Sequence, residues 1–149
     1  MAKPLTGAIL CLVDDDPDDR KLFVDAALAA HLPAHVVAVE DGDSLMAYLQ
    51  REGGFSEHPL PQVIVLDLNL PGRSGLELLA EIRGDVAFRD IPVLVLSTSR
   101  NDDDVREAYR AGANSFITKP ATFEKLIGAL RTVGVYWFGT VTLPARSSV

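Results

Sequence analysis

Five short runs of apolar, mostly β-branched residues alternate along the chain with longer segments whose apolar residues recur at helical spacing. The runs predict five buried strands, at 8–13, 36–39, 63–66, 93–96 and 116–118. Helical spacing is found between and after the runs, as in Leu78, Leu79 and Ile82. Strict alternation favours a parallel sheet covered on both faces, because right-handed crossovers place helices there. The sequence therefore predicts an α/β fold of five strands and five helices.

Length and charge restrict the classes of function. The 149 residues fit a single domain, 1–149, in which we expect a core at about 8–133 and a C-terminal tail at 134–149. A net charge of −7 disfavours binding to nucleic acid. No apolar segment has the length of a membrane span, and the N-terminus lacks the apolar stretch of a signal peptide. The lone Cys11 fits a reducing compartment, so we expect a cytoplasmic protein without nucleic-acid or membrane partners.

Polar and charged residues follow four of the five predicted strands. They are Asp14, Asp15, Asp16, Asp67, Asn69, Ser97 and Lys119. Because the carboxyl ends of parallel strands face one crevice, these side chains are expected to converge at one rim of the sheet. Taken singly, a lysine that follows a strand is usually an exposed residue at the strand end, and a serine at such a position usually forms a turn. Their joint placement with Asp67 indicates a site.

The acidic residues at this rim predict a magnesium site. Carboxylates within a few ångströms repel each other unless a cation joins them, and Mg²⁺ prefers carboxylate, carbonyl and water oxygens. The expected ligands are Asp14, Asp15, Asp67 and the backbone carbonyl of Asn69. Ca²⁺ fits less well, because the EF-hand spacing is absent. A solvated acidic turn, with Asp16 capping the first helix, is the alternative for the first cluster.

Asp67 follows a buried strand directly, where a carboxylate is costly unless it is paired or used. A carboxylate can attack a phosphoryl group and form an acyl phosphate. The transferred group then needs positive charge and hydrogen-bond donors at its oxygens, for which Lys119 and Ser97 are the candidates. Phosphoryl transfer to Asp67 is therefore the predicted chemistry.

Four separated motifs resemble the receiver domains of bacterial two-component response regulators. They are LVDDDP at 12–17, VIVLDLNLP at 63–71 with Gly75, IPVLVLS at 91–97 and KP at 119–120. The resemblance covers roughly 8–130 and implies a flavodoxin-like fold with strand order 2-1-3-4-5. It implies a histidine kinase as phosphodonor and Mg²⁺ as cofactor.

The resemblance also implies a role for each site residue. Asp67 becomes the phosphoacceptor, Asp14 and Asp15 the acidic pair for Mg²⁺, and Lys119 the phosphate-binding lysine, with a cis bond to Pro120. Ser97 becomes the switch hydroxyl, where the family often has threonine. Phe116 stands at the switch aromatic position, where the family often has tyrosine or histidine, so it offers no hydroxyl to a partner. Such a protein is a signalling switch, not an enzyme, although it catalyses its own phosphorylation and dephosphorylation.

A second likeness is to single-domain regulators associated with phytochrome-type histidine kinases. It rests on the loop at 52–61, the polar run at 97–99 and the segments at 133–138 and 140–144. It implies a light-sensing kinase as phosphodonor and a homodimer built on the last helix and its neighbours. Two interpretations of Tyr136, Trp137 and Phe138 remain open: an interface, or a tail folded back onto its own core.

Three other functions compete with this interpretation. A phosphatase of the haloacid dehalogenase type pairs its nucleophile with an aspartate two residues on, where this chain has Asn69, and a cap domain is lacking. An interaction module that has lost phosphorylation fits poorly with the complete set of site residues. A transcription factor is disfavoured, because only a short tail follows the last predicted helix. We therefore expect output through protein contacts, without a DNA-binding domain.

Overall fold

A computed structural model describes residues 7–145, and within this range five strands form one parallel sheet in the order β2-β1-β3-β4-β5. The strands are β1 Ile9–Val13, β2 His35–Val39, β3 Val63–Leu66, β4 Val93–Ser97 and β5 Ser115–Thr118. The helices are α1 Pro17–Ala29, α2 Gly42–Leu49, α3 Gly75–Gly84, α4 Asp102–Arg110 and α5 Phe123–Val135. The predicted flavodoxin-like fold and strand order are confirmed, and every predicted strand boundary lies within one residue of the observed one.

Two apolar clusters, one on each face of the sheet, make up the core. On one face, α2, α3 and α4 pack onto the sheet through residues such as Leu45, Leu78 and Ala108. On the other face, α1 and α5 pack through residues such as Phe23 and Leu130. The three-layer arrangement follows from strands whose successive side chains point to opposite faces and are apolar on both.

The expectation of five buried strands is wrong for β2 and β5. Every residue of β1, β3 and β4 is buried, whereas every residue of β5 is half-buried and only Val39 is buried in β2. The physical reason is the strand order, which places β2 and β5 at the two edges of the sheet. An edge strand has a neighbour on one side only, so helices and strands cover it less completely.

Each of the five α-helices within residues 7–145 begins at a side chain that accepts a hydrogen bond from the backbone of the first turn. The capping residues are Asp16, Asp41, Ser74, Asn101 and Thr122. Such caps satisfy N–H groups that have no partner inside the helix. The predicted cap at Asp16 is confirmed, and Pro17 follows it at the first helical position. The start of α1, which carries acidic residues near the rim, is therefore fixed.

Arg83, near the end of α3, links several segments at the end of the sheet opposite to the acidic rim. Its guanidinium donates to the carbonyl oxygens of Gly112 at 2.9 Å, Arg89 at 3.1 Å and Ile91 at 2.8 Å, and to Oδ1 of Asn114 at 2.8 Å. These residues lie after α4, before β4 and before β5. One side chain thus joins the amino ends of β4 and β5 to the carboxyl end of α4.

The helical path continues beyond α5 as a π-helical turn at Tyr136–Thr140. Trp137 and Phe138 are half-buried against the apolar cluster under α1 and α5, as the second interpretation of this segment expected. Val135 and Tyr136 remain exposed, at 64% and 50%. The last four positions of the predicted tail, 146–149, lie outside the described residues. No helix within residues 7–145 combines the length and apolar character that crossing a membrane requires.

Candidate functional site

The two central strands place Asp14 and Asp67 side by side. β1 and β3 pair in parallel with Val13 opposite Leu66, so the next residue of each strand emerges at the same edge. The backbone N–H of Asp67 donates to the carbonyl of Val13 at 3.1 Å. Both aspartates are almost fully buried, Asp14 at 3% and Asp67 at 6% exposure. The predicted convergence of distant sequence positions is observed here.

Asp15 completes a group of three carboxylates. One oxygen each from Asp14, Asp15 and Asp67 can be chosen so that all lie within 4.8 Å of one another. Asp15 is exposed, so the group opens to solvent on its side. Three carboxylate oxygens at this spacing fit a hard divalent cation that keeps part of its water shell.

Lys119 lies among these carboxylates and is not the exposed strand-end residue that a lone lysine would suggest. Its backbone N–H donates to the carbonyl of Ser97 at 2.7 Å, which fixes the carboxyl end of β5 beside β4. Its Nζ lies 3.2 Å from Oδ2 of Asp14, 3.2 Å from Oδ2 of Asp67 and 3.3 Å from Oδ2 of Asp19. Every peptide bond within residues 7–145 is trans, so the cis bond to Pro120 that the resemblance implied is not found.

Burial and charge act against each other in this cluster. Burial raises the pKa of Asp14, although the backbone N–H of Asp16 and the ammonium of Lys119 act in the opposite direction. Burial by itself lowers the pKa of Lys119, but the carboxylates of Asp67 and Asp14 outweigh it, and the pKa of the lysine is raised. Lys119 is therefore a firmly held cation, while the charge on Asp14 remains costly and leaves a reason for a further cation to bind.

Local turns hold the two buried carboxylates in orientation. The backbone N–H of Asp16 donates to Oδ1 of Asp14, and that of Asn69 donates to Oδ1 of Asp67, each at 3.0 Å. The loop after β3 then closes tightly on Gly75. A Cβ at Gly75 would lie 2.6 Å from the carbonyl oxygen of Asp67, a contact that only glycine avoids. Backbone packing therefore fixes where Asp67 sits.

The two predicted switch residues, Ser97 and Phe116, have hydrogen-bond partners outside the group of carboxylates. Ser97 is buried at 1% exposure, and its Oγ accepts a hydrogen bond from the N–H of Ser99 at 3.2 Å. The hydroxyl of Ser99 in turn donates to Asp104 at 2.5 Å, which ties this loop to α4. Phe116 packs half-buried against the cluster under α2, α3 and α4, and its N–H donates to the hydroxyl of Tyr109 at 3.1 Å.

Sequence reasoning missed Asp19 as a member of this site. Asp18 and Asp19 both lie in the first turn of α1, where acidic residues favour the positive end of the helix dipole, and no local feature of the sequence distinguishes them. The structure separates them, since Asp19 reaches Lys119 whereas Asp18 is exposed. With Asp16 as the predicted cap of the first helix, Asp19 falls at the third helical position, which was a signal that it lies near the rim. Cys11 is buried within β1, and burial raises the pKa of its thiol.

Comparisons with known proteins agree with this geometry. Residues 10–131 match the response regulator receiver domain family. The response regulator Rcp1 of Synechocystis sp. is 36% identical over 137 residues, covering 92% of this chain and 93% of that protein. The solved structure of the phosphorylated cyanobacterial phytochrome response regulator RcpA has a TM-score of 0.85 and 40% identity, over 94% of this chain and 100% of that one.

The Mn²⁺-bound form of Rcp1 has a TM-score of 0.82 and 36% identity, over 93% of this chain and 100% of that one. The family match spans most of the chain, and these relatives include response regulators of phytochromes. The predicted resemblance is thereby confirmed, including its likeness to phytochrome response regulators. A divalent metal at the acidic pocket is consistent with both the Mn²⁺-bound relative and the three clustered carboxylates. The chain belongs to the family of response regulator receiver domains.

Proposed function

We propose that this chain is a two-component response regulator that accepts a phosphoryl group from a histidine kinase onto Asp67. The observation that carries the proposal is the pairing of a buried carboxylate with a lysine ammonium at 3.2 Å, beside two further aspartates. The same geometry favours a signalling switch over a phosphatase of the haloacid dehalogenase type, because Asn69 stands where that mechanism needs a second acid. Family membership supports this choice.

In the proposed reaction, a carboxylate oxygen of Asp67 attacks the phosphorus of the donor. The bond from phosphorus to the donor breaks, the donor's leaving group takes that electron pair, and an acyl phosphate forms on Asp67. Lys119 would donate to a phosphoryl oxygen. The residues that would hold Mg²⁺ are Asp14, Asp15, Asp67 and the carbonyl of Asn69. The bound ion would supply positive charge to the phosphoryl oxygens.

Switching would follow from the positions of Ser97 and Phe116. We infer that the Ser97 hydroxyl rotates to donate to the new phosphoryl oxygen, because its bond with Ser99 uses the oxygen as acceptor and does not use the hydroxyl hydrogen. Ser99 is hydrogen-bonded to Asp104, so such a movement would reach α4. The change would then alter the packing of Phe116 on the half-buried β5. Output would pass through contacts of this surface.

Labelling with acetyl phosphate tests the assignment of Asp67. With Mg²⁺ present, intact-mass measurement should show one added phosphoryl group on the wild type and none on Asp67→Asn. Asp102→Asn, at an exposed position in α4, is the matched control and should be labelled like the wild type. Full labelling of Asp67→Asn, or full labelling in excess chelator, would contradict the proposal.

The cognate donor and the assembly are further parts of the proposal. The likeness to RcpA, a phytochrome response regulator, supports a phytochrome-type kinase as donor. The exposed Val135 and Tyr136, next to the half-buried Trp137, support a homodimer through the end of α5 and the π-helical turn. A single domain and a cytoplasmic location remain predictions.

Sedimentation at about tens of micromolar tests the dimer, a range suited to a weak interface. We expect the wild type to sediment as a dimer and Tyr136→Arg as a monomer. Leu28→Arg places the same charge on an exposed apolar position of α1 and should leave the dimer intact. A monomeric wild type, or a dimer that survives Tyr136→Arg, would show that the interface is elsewhere or absent.

A further inference from the structure

Asp19 contacts the site although the proposed reaction does not use it. Its Oδ2 lies 3.3 Å from Nζ of Lys119, almost as close as the oxygens of Asp14 and Asp67 at 3.2 Å. Its side chain is 44% exposed, compared with 4% for Asp14 and 8% for Asp67. Asp19 and Lys119 also line a groove between α1 and α5 that opens beside the site. Asp19 therefore places a negative charge on the solvent side of the lysine.

The ammonium of Lys119 has three hydrogens, and three carboxylates accept from it. A phosphoryl oxygen that binds Lys119 must therefore displace one of them. Asp14 and Asp67 are buried and are each held by a backbone N–H, so moving them is costly. The carboxylate of Asp19 can return to water. Asp19 is thus the partner that the phosphoryl group would displace.

We propose that Asp19 sets the donor preference of the site by charge, because it competes for Lys119 and repels strongly anionic small donors. The inference rests on the proposed phosphorylation of Asp67. A carboxylate beside the lysine acts on each charge of an approaching donor, so a dianion is disfavoured more than a monoanion. Asp19 is in this sense a positioning and specificity residue, acting through Lys119 and not on the reacting atoms.

Two small donors separate this effect from a general loss of structure. At neutral pH acetyl phosphate is a dianion and phosphoramidate carries one negative charge. The initial rate of Asp67 labelling would be measured by intact mass with each donor on the wild type and on Asp19→Asn. We expect Asp19→Asn to be labelled about fivefold faster by acetyl phosphate and about twofold faster by phosphoramidate, given Coulomb energies of this order at a half-exposed site. High salt should reduce the difference.

Two further variants serve as controls. Asp18→Asn removes the same charge from an exposed residue in the same turn of α1. The ratio of its labelling rates with acetyl phosphate and with phosphoramidate should equal that of the wild type. Asp19→Glu keeps the charge and should restore the wild-type ratio. If Asp19 acted only through the stability of α1, its replacement would change the labelling rates with both donors by the same factor.

Equal changes with the two donors, or slower labelling of Asp19→Asn by acetyl phosphate, would overturn the role of Asp19 and leave the proposed function standing. Failure of both donors to label the wild type at Asp67 would overturn the proposed function and the inference together. A changed ratio that persists unaltered at high salt would also count against a charge effect.

Discussion

At the centre of the sheet, β1 and β3 are buried along their whole length, whereas at its edge every residue of β5 is half-buried. The centre carries the two carboxylates of the site, held by backbone hydrogen bonds. The edge carries Phe116, whose backbone N–H donates to the hydroxyl of Tyr109. Tyr109 is itself 48% exposed. The proposed chemistry at Asp67, which needs fixed geometry, thus lies where packing is complete, and the proposed switch surface at Phe116 lies where packing is partial.

The largest expected effect is at the centre, on replacing Lys119. Lys119→Met removes the only cation seen in contact with the carboxylates of Asp14 and Asp67 among residues 7–145. Leaving buried carboxylates without their partner typically costs about 3–5 kcal/mol, and losing one donor to a developing phosphoryl charge about 10²–10³ in rate. Urea unfolding and acetyl phosphate labelling would measure the two losses. Lys21→Met, at an exposed pair with Asp25, should change neither. A stable Lys119→Met protein would show that the centre does not depend on this cation.

Magnesium should stabilise the same region by binding the folded protein only. At one hundred times its dissociation constant, the gain in the free energy of unfolding is about 2.7 kcal/mol. Because Lys119 already offsets part of the carboxylate charge, we expect the protein to fold without metal. Melting curves of wild type and Asp15→Asn, each with and without Mg²⁺, would measure the shift. The shift should be largely lost in Asp15→Asn, and equal shifts in both proteins would show that Asp15 is not a ligand.

A change in the tight loop after β3 should have the next largest effect. Gly75→Ala puts a methyl group 2.6 Å from the Asp67 carbonyl oxygen and from the Cα of Leu68, so the backbone must move. Overpacking of this kind costs about 1–3 kcal/mol, and labelling of Asp67 should fall with it. Gly84→Ala, at the end of the same helix with open space around it, is the control. Similar behaviour of the two variants would mean that the loop adapts and that the centre is less rigid than its packing indicates.

The smallest expected effect is at the edge. Tyr109→Phe removes the hydroxyl that accepts from the N–H of Phe116, a loss of about 0.5–1.5 kcal/mol for one hydrogen bond. Labelling of Asp67 should remain at the wild-type rate. Hydrogen exchange at Phe116 should become faster in the variant. A large loss of labelling would show that edge and centre are not separable in the way that their burial suggests.

The strands were predictable because their apolar runs are local features with sharp polar ends. Their burial was misjudged, because the apolar runs of β2 and β5 do not show locally that these strands lie at the edges of the sheet. The strand order implied by the resemblance already places β2 and β5 there. The convergence of Asp14, Asp67 and Lys119 followed from the general rule for the carboxyl ends of parallel strands. The roles assigned to these residues and to Asn69, Ser97 and Phe116 remain predictions.

The contact of Asp19 with Lys119 could not be predicted, because it joins residues one hundred positions apart and depends on the direction in which α1 leaves the rim. The same limit applies to the end of the chain. Trp137 could have packed on a second copy or on its own core, and only the path of α5 and the π-helical turn decides that it contacts the core. In both cases the missing information was the direction that a helix takes in the folded protein, which local sequence patterns do not give.

The hydrogen bonds of Arg83 restrain α4 and β5 at one end each. They fix the carboxyl end of α4 and the residue before β5 at the side of the sheet opposite to the acids. A segment held at one end is displaced most at the other, so α4 would pivot about Arg83 and move furthest at its first turn, where Asp104 is hydrogen-bonded to Ser99. A small shift of Ser97 at the rim would then rotate the whole of α4, while the amino ends of β4 and β5 stay in place.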